Sequence, residues 1–187
     1  MVRPSSAVSL ERHLVAARVA QPTYQSIGAT LREERPQGFH HLSVATELGR
    51  GQAAFERAVL GLQTWRAHAL PFVSVHPDGA PVEEGETVLV TVGLSLLSAA
   101  MPCRVVAVVE EPQRWGFAYG TLPGHIERGE EAFIVSCDGE GVVRFEVTAF
   151  SVPADAVGRL LGPVGRAAQG RVARGYLGAL EKFVRAP

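Results

Sequence analysis

The hydrophobic pattern of this chain changes period twice, and that double change limits the folds open to it. Phe55, Ala58, Val59, Leu62 and Trp65 recur at helical spacing. From residue 70 to about residue 152 the spacing falls to two, as on a strand with one buried face. Beyond Pro153 it turns helical again, with Leu161, Val164, Ala168, Val172, Leu180 and Phe183 forming an apolar stripe. A run of strands with no helices between them cannot build a parallel βαβ sheet. The order predicts an α+β domain, a curved antiparallel sheet of six or seven strands packed against a long C-terminal helix.

Within this frame HHLSVATELG reads as the first strand, and Gly49 and Gly51 give a flexible entry to the amphipathic helix that follows. PFVSV is a short strand, and ETVLVTVGLSLLS reads as one longer strand. CRVVAVVEEPQRWGFAYGTL holds two strands joined near Glu111 and Pro112, and the last two form a hairpin around Asp138 to Gly141. Trp115, Phe117 and Tyr119 share one face of their strand. Gly116, Ala118 and Gly120 form the other, a face small enough for another element to approach closely. Trp65 is expected to be buried between the early helix and the sheet. In the last helix Gly162 and Pro163 break or kink the start, and Gly165, Gly170, Gly175 and Gly178 cost helix propensity. Their presence predicts close packing against the sheet.

Residues 1–22 read as an N-terminal helical extension, with a helix near Ala7 to Ala20 that ends before Pro22. The stretch QPTYQSIGATLREERPQGF is expected to be irregular, tied down by Tyr24, Ile27 and Phe39. Residues 23–187 then form a single domain, a size that suits one core. The 18 Arg and Lys residues nearly balance the 19 Asp and Glu, which argues against a nucleic-acid partner. Arg159, Arg166, Arg171, Arg174, Lys182 and Arg185 are dispersed along the last helix and read as a solvated face. Cys103 and Cys137 form no CxxC pair and are expected to be buried, reduced thiols. The first residues lack the apolar core of a signal peptide, and TVLVTVGLSLLSAAMP is too short to span a membrane as a helix. A cytoplasmic protein with no membrane span is the expectation.

Several stretches carry a family resemblance: YQSIGAT, LGRGQAAFERAVLGLQTWRAH, MPCRVVAV and above all RWGFAYGTLPGHIERGEEAF, extended by VVRFEVTAFSVP and the basic-apolar final helix. From about residue 23 to residue 184 the chain resembles the family known as DUF1990, also called UPF0548. The resemblance assigns no catalytic role to Tyr119, His125, Glu127, Glu130 or Glu131. More distantly, the order of elements is similar to the helix-grip architecture of START and Bet v 1-like proteins. That likeness implies an apolar ligand cavity between the sheet and the C-terminal helix.

The polar residues worth weighing lie in GTLPGHIERGEE. Pro123 and Gly124 mark a turn, which places His125 and Glu127 near an exposed sheet end, with Glu130 and Glu131 close behind. His and carboxylates can exchange protons or bind metal, but this spacing is not HExxH, and neither a metal nor a cofactor is expected. The expected ligand site has Tyr119, His125 and Glu127 at a polar entrance and Trp115 and Phe117 deeper inside. Its occupant would be a small apolar or amphipathic molecule. Two alternatives stay open: a structural or protein-interaction module without a cavity, and an enzyme of unknown reaction on the same scaffold. Gly49-Arg50-Gly51 could hold an anion at a helix start but completes neither GxGxxG nor a Walker A motif. Ser95, Ser98 and Ser151 have no sequence-supported His–acid partners.

Overall fold

The computed structural model describes residues 7–94, 97–155 and 162–186. Its strands are β1 (His40–Arg50), β2 (Val73–His76), β3 (Thr87–Leu94), β4 (Leu97–Glu111), β5 (Arg114–Thr121), β6 (Glu127–Cys137) and β7 (Val142–Pro153). Among the described residues the α-helices are α1 (Ala7–Arg18), α2 (Gln52–Gln63) and α3 (Gly162–Arg185), and a 3-10 turn lies at Arg66–His68. The strands form one sheet in the order β1-β7-β6-β5-β4-β3-β2, and every pairing is antiparallel. From β2 to β7 each strand turns back on the one before it. β1 instead lies beside β7, with His40 opposite Ser151 and Arg50 opposite Val142.

Seven antiparallel strands and a long C-terminal helix match the sequence pattern. The bending does not: the sheet is open and not strongly curled, with β1 and β2 as its edges. Alternation tells which face a side chain occupies, and it carries no information about curvature. The single long strand expected over ETVLVTVGLSLLS is in fact a hairpin, in which Leu94 of β3 stands opposite Leu97 of β4. The apolar pattern runs through that reversal, so the period gives no sign of it.

β5 lies at the centre of the sheet. On one face Trp115, Phe117 and Tyr119 join Phe133 of β6, Phe145 of β7 and Leu180 of α3 in the main core. Phe117 stacks on Phe133 with ring centroids 5.1 Å apart. Trp65 is buried here as expected, just beyond the end of α2, and its indole Nε1 donates to the Ala80 carbonyl at 2.8 Å. The glycines of α3 do not behave alike. A Cβ on Gly175 would press on Leu70, whereas Gly165 and Gly178 face open space. A close helix–helix approach lies instead at Gly61 of α2, where a Cβ would run into Leu180 and Phe183 of α3.

The small-residue face of β5 is covered. A strap over residues 23–34 crosses it, with Tyr24 above Gly120, where a Cβ would overlap the Tyr24 hydroxyl. Tyr24 and Phe39 both meet Phe150 edge-on, at centroid distances of 5.5 and 5.0 Å. Ile27, the third expected anchor, is exposed. α1 buries Leu14 and Ala17 and packs on β3 and β4. Its C-terminus is fastened by the Arg104 guanidinium, which donates to the carbonyls of Ala17, Arg18 and Ala20, each at 2.9 Å. Both cysteines are free thiols; Cys103 is buried and Cys137 half-buried. No helix among the described residues is long and apolar enough to cross a membrane.

Candidate functional site

A cavity of about 290 Å³ lies between α3 and one end of the sheet. Its apolar wall comes from Val90 and Val92 of β3, Ala99 and Met101 of β4, and Val172 of α3. Its polar side gathers Tyr119 of β5, Glu127 and Glu131 of β6, Gln169 and Tyr176 of α3, and His125 from the turn before β6. Three of the five residues expected to bind a ligand, Tyr119, His125 and Glu127, therefore line one space. Trp115 and Phe117 share the face of Tyr119 but sit in the packed core, away from the cavity lining. They lie four and two residues back along β5, roughly 13 and 7 Å at the rise of a strand. The pattern identifies their face but not their depth.

The segment HIERGEE is less of a loop than its composition suggests. β6 already begins at Glu127, so its side chains alternate from there. Glu127 and Glu131 project to the α3 side, in line with Phe133 and Val135, while Glu130 projects to the strap side. There Glu130 is 2% exposed and serves the fold. Its Oε2 accepts from the Tyr24 hydroxyl at 2.7 Å and the Gly28 amide at 2.6 Å, and its Oε1 accepts from the Thr30 amide and hydroxyl. Gly129, between Glu127 and the Glu130–Glu131 pair, has φ +154°, and a Cβ there would overlap the Phe150 carbonyl, so no other residue fits.

Burial shifts the proton affinity of the ionisable groups that form the polar end. Glu131 keeps one edge open to the cavity but is otherwise enclosed, and burial pushes its carboxyl up to about 7. The Tyr119 hydroxyl, which donates to its Oε2 at 2.7 Å, opposes that rise, and the charge of Glu127 adds to it. Burial also raises Glu127, against a hydrogen bond from Ser151. His125 is held down to about 4 by burial and is uncharged at neutral pH. Its Nδ1 accepts from the Glu127 amide at 2.9 Å, so the ring braces the turn while lining the cavity mouth.

Behind Tyr119 lies a residue whose role the sequence did not disclose. His68, on the 3-10 turn, is fully enclosed between the rings of Trp65, Phe133 and Tyr176, and burial lowers it to about 3. Its Nε2 is 3.4 Å from the Tyr119 hydroxyl, and its Nδ1 has no partner. Tyr119 thus stands between a neutral imidazole and a carboxyl of raised affinity for protons. Gln169 and Tyr176 were also missed, because a helix pattern dominated by glycine and arginine gives no hint of which polar residues face inward. Gln169 spans the mouth, where its amide donates to Ser151 Oγ at 3.1 Å and to Glu127 Oε2 at 3.3 Å.

Among the described residues no three His, Cys, Asp or Glu side chains come together as metal ligands. At Gly49-Arg50-Gly51 the helix-start amide of Gly51 is taken up by the Gly141 carbonyl at 2.7 Å. The basic residues Arg166, Arg171, Arg174, Lys182 and Arg185 of α3 are exposed, and Arg159 lies outside the described residues.

Known proteins resemble this chain in sequence or in fold. The profile of the family described as "Domain of unknown function (DUF1990)" matches residues 23–179. A UPF0548 protein of Deinococcus radiodurans is 33% identical over 189 aligned residues, covering 94% of each chain. One of Arabidopsis thaliana is 34% identical, over 74% of this chain and 70% of its own. Among solved structures, a hypothetical protein of Helicobacter pylori superposes with a TM-score of 0.59 at 13% identity, over 89% of this chain and all of its own. The di-domain ARO/CYC StfQ from the steffimycin biosynthetic pathway superposes with a TM-score of 0.52 at 9% identity, over 78% of this chain and 50% of its own. The element order distantly resembles that of the helix-grip fold.

Proposed function

This chain belongs to the DUF1990 family, and we propose that it binds a small apolar or amphipathic molecule in the cavity between its sheet and α3. The observation that carries this reading is the cavity itself: about 290 Å³, with aliphatic walls and one polar end. Binding sites for small molecules have this character, an apolar enclosure with a few convergent polar groups. An engineered apolar cavity of about half that volume is enough to hold benzene. In this reading His125 and Glu127 form the polar entrance, as the sequence leads one to expect, whereas Tyr119, also expected there, is bonded to Glu131 and lies further in with it and Tyr176. Trp115 and Phe117 support the floor from within the core. The likeness to the ARO/CYC di-domain concerns the fold alone, and no reaction is carried across from it.

Hexanol, uncharged and small enough to enter, tests the reading. A titration followed by methyl NMR should give saturable shifts at Val90, Met101 and Val172. Val172→Phe fills the space and should abolish them while the rest of the spectrum stays that of a folded protein. Absence of saturable shifts in the wild type from hexanol and from its amine and carboxylate counterparts, or equal hexanol affinity in Val172→Phe, rejects the cavity as a binding site. Native mass spectrometry of protein purified without added ligand then shows whether a natural occupant is retained.

A further inference from the structure

The charge distribution around the cavity restricts what its occupant can carry, provided the binding reading above holds. Among the described lining residues there are three glutamates and neither Arg nor Lys. Glu130 spends its carboxylate on the strap. Glu127 and Glu131 remain, both projecting from the same face of β6, one by the mouth and the other deeper. The groups that face Glu131 are Tyr119 from β5, Cys103 from β4 and Tyr176 from α3, with Glu127 on its own strand. His68 of the 3-10 turn stands behind Tyr119. None of these brings a positive charge, since burial keeps both His68 and His125 neutral.

Two carboxyls in one apolar cavity whose partners among the described residues are all neutral lack a compensating positive charge. A buried charge is costly unless it is paired, and an anionic ligand would deepen that cost. A divalent metal ion would need several oxygen ligands around one point, and no such cluster exists among the described residues. An organic ammonium needs less, one carboxylate and a few neutral acceptors. We infer that the occupant of this cavity bears a protonated amine at one end of an apolar body, the ammonium seated against Glu131 after passing Glu127 at the mouth. The aliphatic wall of Val90, Val92, Met101 and Val172 receives the body. Fatty acids and other carboxylate-headed molecules are excluded by the same arrangement.

Proton linkage gives the seat a sign. Without a cation the Glu131 carboxyl is pushed up to about 7, so near neutrality a fraction of it is uncharged. An ammonium pairs with the ionised form, and its affinity therefore rises as pH climbs from 6 to 8. Tyr119, Tyr176 and Cys103 are all shifted upward and His68 downward, so they hold one protonation state over that range.

Three probes of equal length separate the head group from the tail: hexylamine, hexanol and hexanoate, each titrated by NMR into wild type and Glu131→Gln at pH 6 and pH 8. Hexylamine should bind the wild type at least about tenfold more tightly than hexanoate, a difference of about 1.4 kcal/mol. It should bind several-fold better at pH 8 than at pH 6. Glu131→Gln should weaken hexylamine by about tenfold while hexanol affinity stays within about twofold, which shows the cavity intact. If hexanol or hexanoate matches hexylamine in the wild type, or if Glu131→Gln leaves hexylamine unchanged, the ammonium seat is wrong and the cavity remains a binding site. If none of the three gives saturable shifts, both the seat and the binding site fall.

Discussion

Glu130 fastens the strap to the sheet, and Tyr24→Phe is the smallest change that loosens it. Four donors converge on this one carboxylate: the Tyr24 hydroxyl, the Gly28 amide, and the amide and hydroxyl of Thr30. Tyr24→Phe deletes one donor and keeps the ring against Phe150. A hydrogen bond to a charged group contributes about 1.5–3 kcal/mol net, so the unfolding free energy should fall by about that amount. In a domain of this size the melting temperature should then drop by roughly 3–12 °C. Glu130→Ala is a different perturbation, because it leaves four buried donors without an acceptor. At about 1–3 kcal/mol each, their combined cost exceeds what a short strap can hold, and the strap should leave the sheet. Tyr24→Phe added to Glu130→Ala should then cost almost nothing. A double-mutant cycle by urea unfolding should return a coupling of at least about 1 kcal/mol. Amide exchange supplies the local readout: Gly28 and Thr30 should lose protection in Glu130→Ala while β5 and β6 keep theirs. Additive free energies, or unchanged protection at Gly28 and Thr30, would refute the reasoning.

Three further outcomes follow from the packing and the titrations. Trp65→Ala removes a buried indole and its bond to the Ala80 carbonyl, and should cost about 3–5 kcal/mol by denaturant midpoint. Gly120→Ala puts a methyl where the Tyr24 hydroxyl sits and should destabilise by about 1–3 kcal/mol; in a Tyr24→Ala background that penalty should largely vanish. Because Glu131 is raised from 4.5 to about 7, its contribution is full below about 4.5 and is lost as pH rises through 7. His68 and His125, lowered from 6.5, contribute above 6.5 and lose that contribution as pH falls toward 4 and below, so the two effects overlap. The stability of wild type minus that of Glu131→Gln isolates the carboxyl. That difference should fall between pH 4.5 and 7, and a flat difference counts against the burial assigned to it.

The sequence carries the fold well because the fold consists largely of alternation. Period two marks the strands from residue 70 onward, and the return to helical spacing marks α3. Gly116, Ala118 and Gly120 correctly announce a close approach, although nothing in their pattern tells that Tyr24 makes it. The β3–β4 reversal is hidden because Leu94 and Leu97 continue the apolar run on both sides of it. Half of the candidate site was legible for the same reason: strand alternation puts Tyr119 on the inner face, and Pro123–Gly124 puts His125 at the sheet end. Glu131 was within reach, since Phe133 and Val135 set the inner face and stepping back two residues arrives at it. His68, Gln169 and Tyr176 were not. They belong to the site through tertiary contacts made across long stretches of chain, which no local period records.

The pairing of β1 with β7 has a consequence for how the protein is made. His40 and Ser151 lie opposite each other yet are more than a hundred residues apart. At synthesis rates of roughly 5–20 residues per second, β1 leaves the ribosome roughly five to twenty seconds before its partner strand exists. During that interval its backbone donors and acceptors face solvent, while β2 to β6 can pair one after another as they emerge. The strap has the same timing, because Tyr24 waits for Glu130. β1 and the strap therefore wait for partners made much later, and the nascent chain carries an unpaired strand throughout that interval. A ribosome stalled before β7 would expose that edge in full, and it is there that chaperones should engage the growing chain.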